Sequence, residues 1–541
     1  MALQVKYGLF PRITGKGGYA KRLADLLLRM RLESAISEGS TLSAVQTLMP
    51  SDAIDNLIII DREADPLTPL LTQLTYEGLL DEMYGIQNSQ LEVDATILGT
   101  TSDPKDGDES IPQTSRGRKR KLALDSTDPL YASLRSENFS AVGPLLHRTA
   151  VRLDADFASR HAAKSTADLK AFVQRLPRLQ AEQQATKLHT ALAEDLIRRT
   201  DADLFTRALE LEQNAVAGAG AADPAAQADT LHDLICRELP LPQTLRLLCI
   251  CSLAANGLRA RELDSLRRAV LHAYGFRHLL TLDALARMGL LTARAVSSAS
   301  SYLNPLAAAP VVSTTPSQTS YTTLRAPLKL VDDDNIAAVA TGSASPGAAA
   351  AASGAQKDIS YAYSGYAPLS VRLLQCALQK PTVLALSDSK VSNAGGGGGS
   401  PSPGAGGVAS ANPPSQGWRP FEDLLKSVRG ATFSEIQRTD DPATKARATL
   451  IGAQAMTPRG GSSGDTGASG TGGTGAGGSS TTAEKTSIVL FLGGLTRAEL
   501  AAVRLVGERL KGRRRIVVAT TQMLSGSEVV GCAMRRAGSS G

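Results

Sequence analysis

Apolar residues fall along this chain in two rhythms. In the first they come as short unbroken runs. Leu57-Ile58-Ile59-Ile60 leaves no polar face for water, which predicts a strand covered on both sides. The runs from Ile488 to Leu492 and from Ile516 to Ala519 read the same way. Between them Gly493-Gly494 marks a turn, and Thr496 with Glu499 three residues later forms a capping box for a helix through Leu510. That β-α-β order predicts a parallel strand pair with a right-handed crossover. The second rhythm is helical. Leu23, Leu26, Leu27 and Met30 repeat at helical spacing, with Lys21, Arg22, Arg29 and Arg31 on much of the other face. Leu169, Phe172, Val173 and Leu176 form a second stripe, and Leu188, Leu192 and Leu196 a third. Pro177 separates these two. It donates no backbone hydrogen bond and disfavours helical geometry at Leu176, so a kink or hairpin is predicted there. Residues 231–291 are also helical in pattern, with Asn256-Gly257 and Gly275 as stops.

The run ending at Ile60 passes abruptly into charge: Asp61, Arg62, Glu63 and Asp65, followed by Thr68-Pro69, which places proline in the first turn of a new helix. Leu71, Leu74, Leu79 and Leu80 then alternate with Glu77, Asp81 and Glu82. A buried strand that ends in a charged corner is where α/β proteins commonly place an important site. Here Arg62 stands among Asp61, Asp65, Glu77 and Asp81. The reading favoured is a scaffold in which Arg62 ties strand end to helix through charge-assisted hydrogen bonds. A partner contact and acid–base chemistry are the alternatives.

The 541 residues allow two to four domains, and a hydrophobic fraction of 42% suffices for real cores. Aromatics are few, at 4%, with Trp418 the single tryptophan, so clustered tyrosines such as Tyr361, Tyr363 and Tyr366 stand out. A net charge of +6 is mild for this length and does not demand nucleic acid or an anionic membrane. Cys236, Cys249, Cys251, Cys376 and Cys532 are odd in number and form no C-x-x-C pair, the pattern of a reduced protein, and Cys249 and Cys251 suit core packing. No apolar run reaches ~18 residues, so membrane contact is expected to be indirect, through partners. Residues 215–228, 297–320, 340–355, 392–416 and 459–482 are rich in Ala, Gly, Ser, Thr or Pro. Such segments bury too little apolar area to offset roughly 1–2 kcal/mol of backbone ordering per residue and are expected to be flexible surface insertions.

Formal enzyme motifs do not survive their context. Gly470, Gly472 and Gly475 fit a dinucleotide fingerprint, and Gly460 to Gly464 a nucleophile elbow, but both lie in low complexity without a strand before or a helix after. Thr14-Gly15-Lys16-Gly17 resembles a phosphate loop, yet Gly17 stands where Ser or Thr would bind magnesium, and a plain loop is the better reading. The histidines are isolated from cysteines at ligand spacing, so no metal or other cofactor is expected. The basic run Arg116 to Lys121 reads as part of a solvated loop, with a nuclear signal or an anionic-lipid patch as alternatives.

At the charged corner, Asp61, Arg62, Asp65, Thr68 and Pro69 fill the pattern D-R-x-x-D-x-x-T-P and resemble the signature of the SM (Sec-one/Munc-eighteen-like) family of membrane-fusion regulators, with Pro66 where the family usually has leucine. The continuation from Leu71 to Ser89 is similar to its vacuolar protein sorting-associated protein 33 branch. So are Leu130 to Leu146, His161 to Gln180, Leu245 to Leu258, Tyr361 to Leu373, Val489 to Val506 and Arg514 to Leu524, in the family's order. The resemblance implies an α/β domain with a parallel sheet, split in sequence by a large all-α domain. The late strands are then expected to join the sheet that holds Ile58 to Ile60. Residues 1–70 and 357–541 would be the two parts of that α/β domain, 71–200 a helical domain with a SNARE-contacting hairpin, and 201–356 a second helical domain. The family's small first domain has no counterpart ahead of Tyr7, so the chain is expected to be a fragment or to lack its first exons. By resemblance it is a non-enzymatic subunit of the HOPS and CORVET tethering complexes, cytoplasmic and peripheral to late endosome and vacuole or lysosome membranes. Leu176, Pro177, Leu188 and Leu192 are then the SNARE-contact candidates. Tyr361, Tyr363 and Tyr366 are candidates for binding a vacuolar protein sorting-associated protein 16 type subunit, with a core role for one or two of them as the alternative. The other expected partners are further class C tether subunits.

Overall fold

The computed structural model describes residues 2–37, 50–51, 53–95, 97, 119–162, 166–218, 224–294, 318–332, 358–388, 418–437 and 484–538. Among these, the strands are β1 (Arg12–Lys16), β2 (Ile54–Asp61), β3 (Ile86–Gln87), β4 (Gln90–Asp94), β5 (Lys119–Ala123), β6 (Thr432–Ile436), β7 (Lys485–Leu492) and β8 (Arg514–Thr520). The chain forms two compact units. The expected insertions at 340–355, 392–416 and 459–482 lie outside the described residues, as does most of 297–320.

The first unit comprises Met1–Asp61, Ala431–Leu492 and Gly507–Ala519. Its five-stranded sheet has the order β6-β1-β2-β7-β8. β2 is central, parallel to β1 (Ile13 opposite Leu57) and to β7 (Leu57 opposite Ile488, Asp61 opposite Leu492), while β6 runs antiparallel to β1. The late strand β7 thus pairs with the Ile58–Ile60 run. Ile58, Ile59 and Ile60 are fully buried, as a run without a polar face requires. One face of the sheet packs Ile13, Leu57, Ile59, Phe433 and Ile488 on Ala20 and Ala24 of the helix Gly18–Ser37, with Leu23 and Leu27 partly buried beside them. Leu26 and Met30, expected in that seam, are exposed because the small residues at 20 and 24 bring the sheet-facing side one step round the helix.

The second unit comprises Arg62–Gly430, Gly493–Val506 and Thr520–Gly541. It is mainly helical, around a core of Tyr76, Leu79, Leu80, Leu134, Val142, Leu146, Leu192 and Leu196. A small antiparallel sheet, β3-β4-β5, was not anticipated. It also corrects the reading of the basic run as loop: Lys119, Arg120 and Lys121 lie in β5 opposite Asp94, Val93 and Glu92, and Lys121 Nζ is 3.6 Å from Glu92. Acidic residues one strand away let a basic stretch pair as a strand. The described ends of the Ala-rich stretch 215–228 are helical rather than loop. The helix Asp203–Ala217 runs into it and the helix Pro224–Cys236 begins inside it, since alanine has the best helix propensity. Gly275 does cap a helix, ending Ala260–Tyr274.

Candidate functional site

The charged corner is built from two consecutive residues with separate tasks. Asp61, the last residue of β2, is buried, and its carboxylate accepts the backbone N–H of Tyr19 at 2.9 Å. That N–H belongs to the first turn of the helix Gly18–Ser37, where a ligand phosphate would otherwise be welcome. Gly17, at φ 121°, makes the approach: a Cβ there would lie 2.1 Å from Asp61 Cβ. The stretch Thr14 to Gly17 is therefore not the loop expected. Thr14 to Lys16 lie in β1, and Lys16 is buried with Nζ 2.9 Å from Thr432 Oγ1. Burial lowers its amine pKa to about 8.

Arg62 turns to Glu499, donating to both carboxylate oxygens at 2.8 and 2.9 Å. Burial works against both charges. The pairing outweighs it, holding the Arg62 pKa above and the Glu499 pKa below their ordinary values. This corrects the expected clamp: Arg62 does not hold Glu77 and Asp81, which belong to Arg497 at 2.7 and 3.4 Å, with Arg504 also 3.1 Å from Glu77. Glu499 is fixed because it completes the capping box, accepting from Thr496 N at 2.9 Å while its own N–H donates to Thr496 Oγ1 at 3.1 Å. Gly493, at φ 86°, leaves room for Arg62, whose Cβ would be 2.8 Å from any added Cβ.

Asp65 is a fully buried carboxylate with four donors: Thr68 N (3.1 Å), Thr68 Oγ1 (2.5 Å), Tyr321 Oη (2.9 Å) and Ser370 N (2.9 Å). Thr68 and Pro69 form a single 3-10 turn, Thr68–Leu70, rather than a longer helix. A carboxylate whose lone pairs are taken by four internal donors is a fixed joint, with no capacity left for proton transfer.

The three tyrosines proposed as interface anchors belong to this joint. Tyr361, Tyr363 and Tyr366 are 7%, 4% and 5% exposed. Tyr363 Oη lies 2.9 Å from Thr496 Oγ1, Tyr366 Oη 3.5 Å from Thr68 Oγ1, and Asn138 donates to the Tyr361 carbonyl at 2.8 Å. The core alternative holds for all three, and their assignment to a partner is corrected. Aromatic enrichment marks interiors as readily as interfaces.

The helices Phe139–Ala162 and Thr166–Thr200 pack as a pair. Pro177 does not end or reverse the second helix, which is 35 residues long and runs through it. The reversal expected at Pro177 is therefore not found there. Val173, whose carbonyl loses its i+4 donor at Pro177, is 56% exposed. Of the SNARE-contact candidates, Pro177 is exposed and Leu176 half-buried. Leu188 packs partly buried on the core and Leu192 is fully inside it, so Leu192 is withdrawn as a contact residue. His189 pins the long helix: one ring nitrogen is 2.9 Å from Tyr76 Oη and the other 3.0 Å from Asp128. The His189 hydrogen bond, against the cost of burial, holds the Asp128 carboxyl below the usual carboxylate range. Asp128 also caps the helix Pro129–Leu134.

One surface escaped the sequence reading. Phe276, Leu279 and Leu280 are 72%, 56% and 50% exposed, around the start of the helix Leu279–Arg287. The available signal was an excess of apolar positions: that helix buries Leu282 and Leu285, leaving Leu279 and Leu280 off its packed face. One His–Cys pair was also missed, His232 Nδ1 lying 3.7 Å from Cys236 Sγ on an exposed helix. Among the described residues no group of three or more His, Cys, Asp or Glu is placed to hold a metal ion, and no helix is long and apolar enough to cross a membrane.

The corner thus locks Arg62 to Glu499 in a buried ion pair within the helical unit. The Sec1 family model matches residues 1–531, and the chain belongs to that family. It is 31% identical over 527 residues to vacuolar protein sorting-associated protein 33A of Rattus norvegicus, covering 97% of this chain and 68% of the relative. To the vacuolar protein-sorting-associated protein 33 homolog of Arabidopsis thaliana it is 28% identical over 536 residues, covering 99% and 70%. Among solved structures, Sly1p in complex with an N-terminal peptide of Sed5p matches with a TM-score of 0.51 at 12% identity, covering 98% of this chain and 65% of that one, which supports the fold alone. The chain thus spans about two thirds of the length of these relatives.

Proposed function

We propose that this chain regulates SNARE-mediated membrane fusion in sorting to the vacuole or lysosome, as a non-enzymatic subunit of the HOPS and CORVET tethers. The reading rests on membership of the Sec1 family with protein 33 relatives along nearly the whole chain. The observation that carries it physically is the long helical pair, stiffened by His189 and a leucine seam while Val151, Val173 and Pro177 stay exposed on it. Nucleating a SNARE bundle in register is costly, and a rigid helical template reduces that cost while excluding wrong pairings. Residues 71–200 would supply the template. The α/β part would lie within segments 1–70 and 357–541, and 201–356 would supply the tether-facing helices. The chain would work in the cytoplasm, on late endosome and vacuolar membranes, with SNAREs, a protein 16 type subunit and other class C tether subunits as partners, without nucleic acid and with only indirect membrane contact.

Val173→Asp tests the template without touching the core. Binding of a vesicle SNARE fragment, read by fluorescence anisotropy, should weaken about tenfold or more while the melting temperature stays unchanged. Unchanged affinity would remove the helical pair from the contact. A second reading, a tether-bound adaptor that does not template SNAREs, is favoured by the exposed Phe276 patch; it would keep tether binding and show no SNARE affinity in the parent chain. A nucleotide-driven enzyme is disfavoured by Asp61, whose carboxylate holds the helix end a phosphate would need.

A further inference from the structure

We propose that the cleft between residues 127–133 and the helical pair binds a small ligand carrying several phosphates, such as an inositol polyphosphate, free or as a lipid headgroup. The cleft has a volume of about 750 Å³ and is lined by three arginines, Arg148, Arg152 and Arg178. Arg152 is neutralised by Glu182. Arg148 and Arg178 have no ion pair or hydrogen bond among the described residues. The other acid in the lining, Asp128, is engaged by His189 and by the N–H groups of Leu130 and Tyr131. Two guanidinium groups that line one concave wall repel each other until an anion lies between them, and low-dielectric walls raise the local anion concentration.

The remaining polar groups narrow the ligand class. Three hydroxyls face the cleft, and each already gives its proton inside the protein: Thr127 to Asp125, Ser133 to the Leu130 carbonyl at 2.7 Å and Thr149 to the Leu145 carbonyl at 3.0 Å. The free donors left are the two guanidinium forks. A neutral sugar, which needs mixed donors and acceptors, finds poor complement there. A ligand made of acceptors with concentrated negative charge fits, and the planar fork matches phosphate in bidentate geometry. The walls are preset, because Asp128 and His189 lock the 127–133 segment to the long helix.

The full chain is titrated calorimetrically with myo-inositol hexakisphosphate at low and high salt, beside inorganic phosphate, vesicles with a bisphosphorylated phosphatidylinositol, and polyglutamate. Binding of the hexakisphosphate is expected, with Arg148→Gln and Arg178→Gln each weakening it about tenfold or more and Arg175→Gln, on the same long helix but outside the lining, leaving it unchanged. All three arginines are exposed, so the variants should melt like the parent. Vesicle binding with the same arginine dependence assigns the lipid headgroup as source; binding of the free polyphosphate alone assigns the soluble one. No binding, or equal binding by parent and both variants, overturns the proposal. Tighter arginine-dependent binding of polyglutamate also overturns it, making the cleft a surface for an acidic protein.

Discussion

Glu212 lies inside the second unit and accepts the backbone N–H and the hydroxyl of Thr72, the latter at 2.9 Å. Burial raises its carboxyl pKa to about 7, and the two hydrogen bonds offset only part of that. The folded chain therefore holds a proton that the unfolded chain releases near the ordinary value of 4.5. Stability should fall as pH rises from 4.5 through 7, and level off above the folded value, by an amount on the order of 3 kcal/mol. Glu212→Gln keeps the shape without the charge. Urea unfolding between pH 5 and 8 should show a flatter stability profile in this variant than in the parent; parallel profiles would mean that Glu212 does not carry the dependence. Arg62 and Glu499 show the opposite solution, in which each buried charge is kept by its partner.

At the scale of elements, Pro177 sits in an exposed part of the helix Thr166–Thr200. Proline lacks the N–H that would bond the Val173 carbonyl and its ring crowds the preceding turn, a cost of ~3 kcal/mol in a helix interior. Val173 is itself exposed, which lets water offset part of this. Pro177→Ala should therefore stabilise the helical unit by about 1–3 kcal/mol with unchanged far-ultraviolet circular dichroism. If the proline shapes the SNARE contact, the same variant should alter SNARE affinity. A destabilised variant would mean that the proline ring itself is needed for packing. The period of the leucines was legible in sequence; which leucine faces a partner was not, because Leu188 and Leu192 share a stripe and only the position of the core makes Leu192 fully buried and Leu188 partly so.

For the whole molecule, burial of Tyr361, Tyr363 and Tyr366 moves the search for the tether surface elsewhere. Phe276, Leu279 and Leu280 are exposed apolar residues within five positions in a chain with few aromatics, and Arg277 lies among them in sequence. Exposed aromatic and aliphatic clusters beside arginine are typical interface centres. Phe276→Asp should abolish capture of a protein 16 type subunit in a pull-down while melting stays within a degree or so, since little burial is lost in the free chain. Tyr363→Asp, by contrast, should unfold the joint around Thr496 and reduce capture only through loss of fold. Undiminished capture by the Phe276 variant would place the tether elsewhere.

The residues themselves determined the elements and the class. The Leu57–Ile60 run had to be a covered strand because it offers water nothing, and the Thr496/Glu499 box had to start a helix because both partners lie within one turn. The D-R-x-x-D-x-x-T-P signature reached the family for the same reason, since its five residues lie within nine positions of chain. Partners far apart in sequence were decided only by the tertiary structure. Arg62 meets Glu499 across 437 residues, Asp65 meets Tyr321 across 256, and β5 finds its acidic neighbours in β4 only once the chain has turned back. Periodicity and local spacing encode what a residue does within a turn or a strand. Which charge neutralises which, and which apolar face stays open, depends on chain segments brought together by burial, and that information resides in the packing.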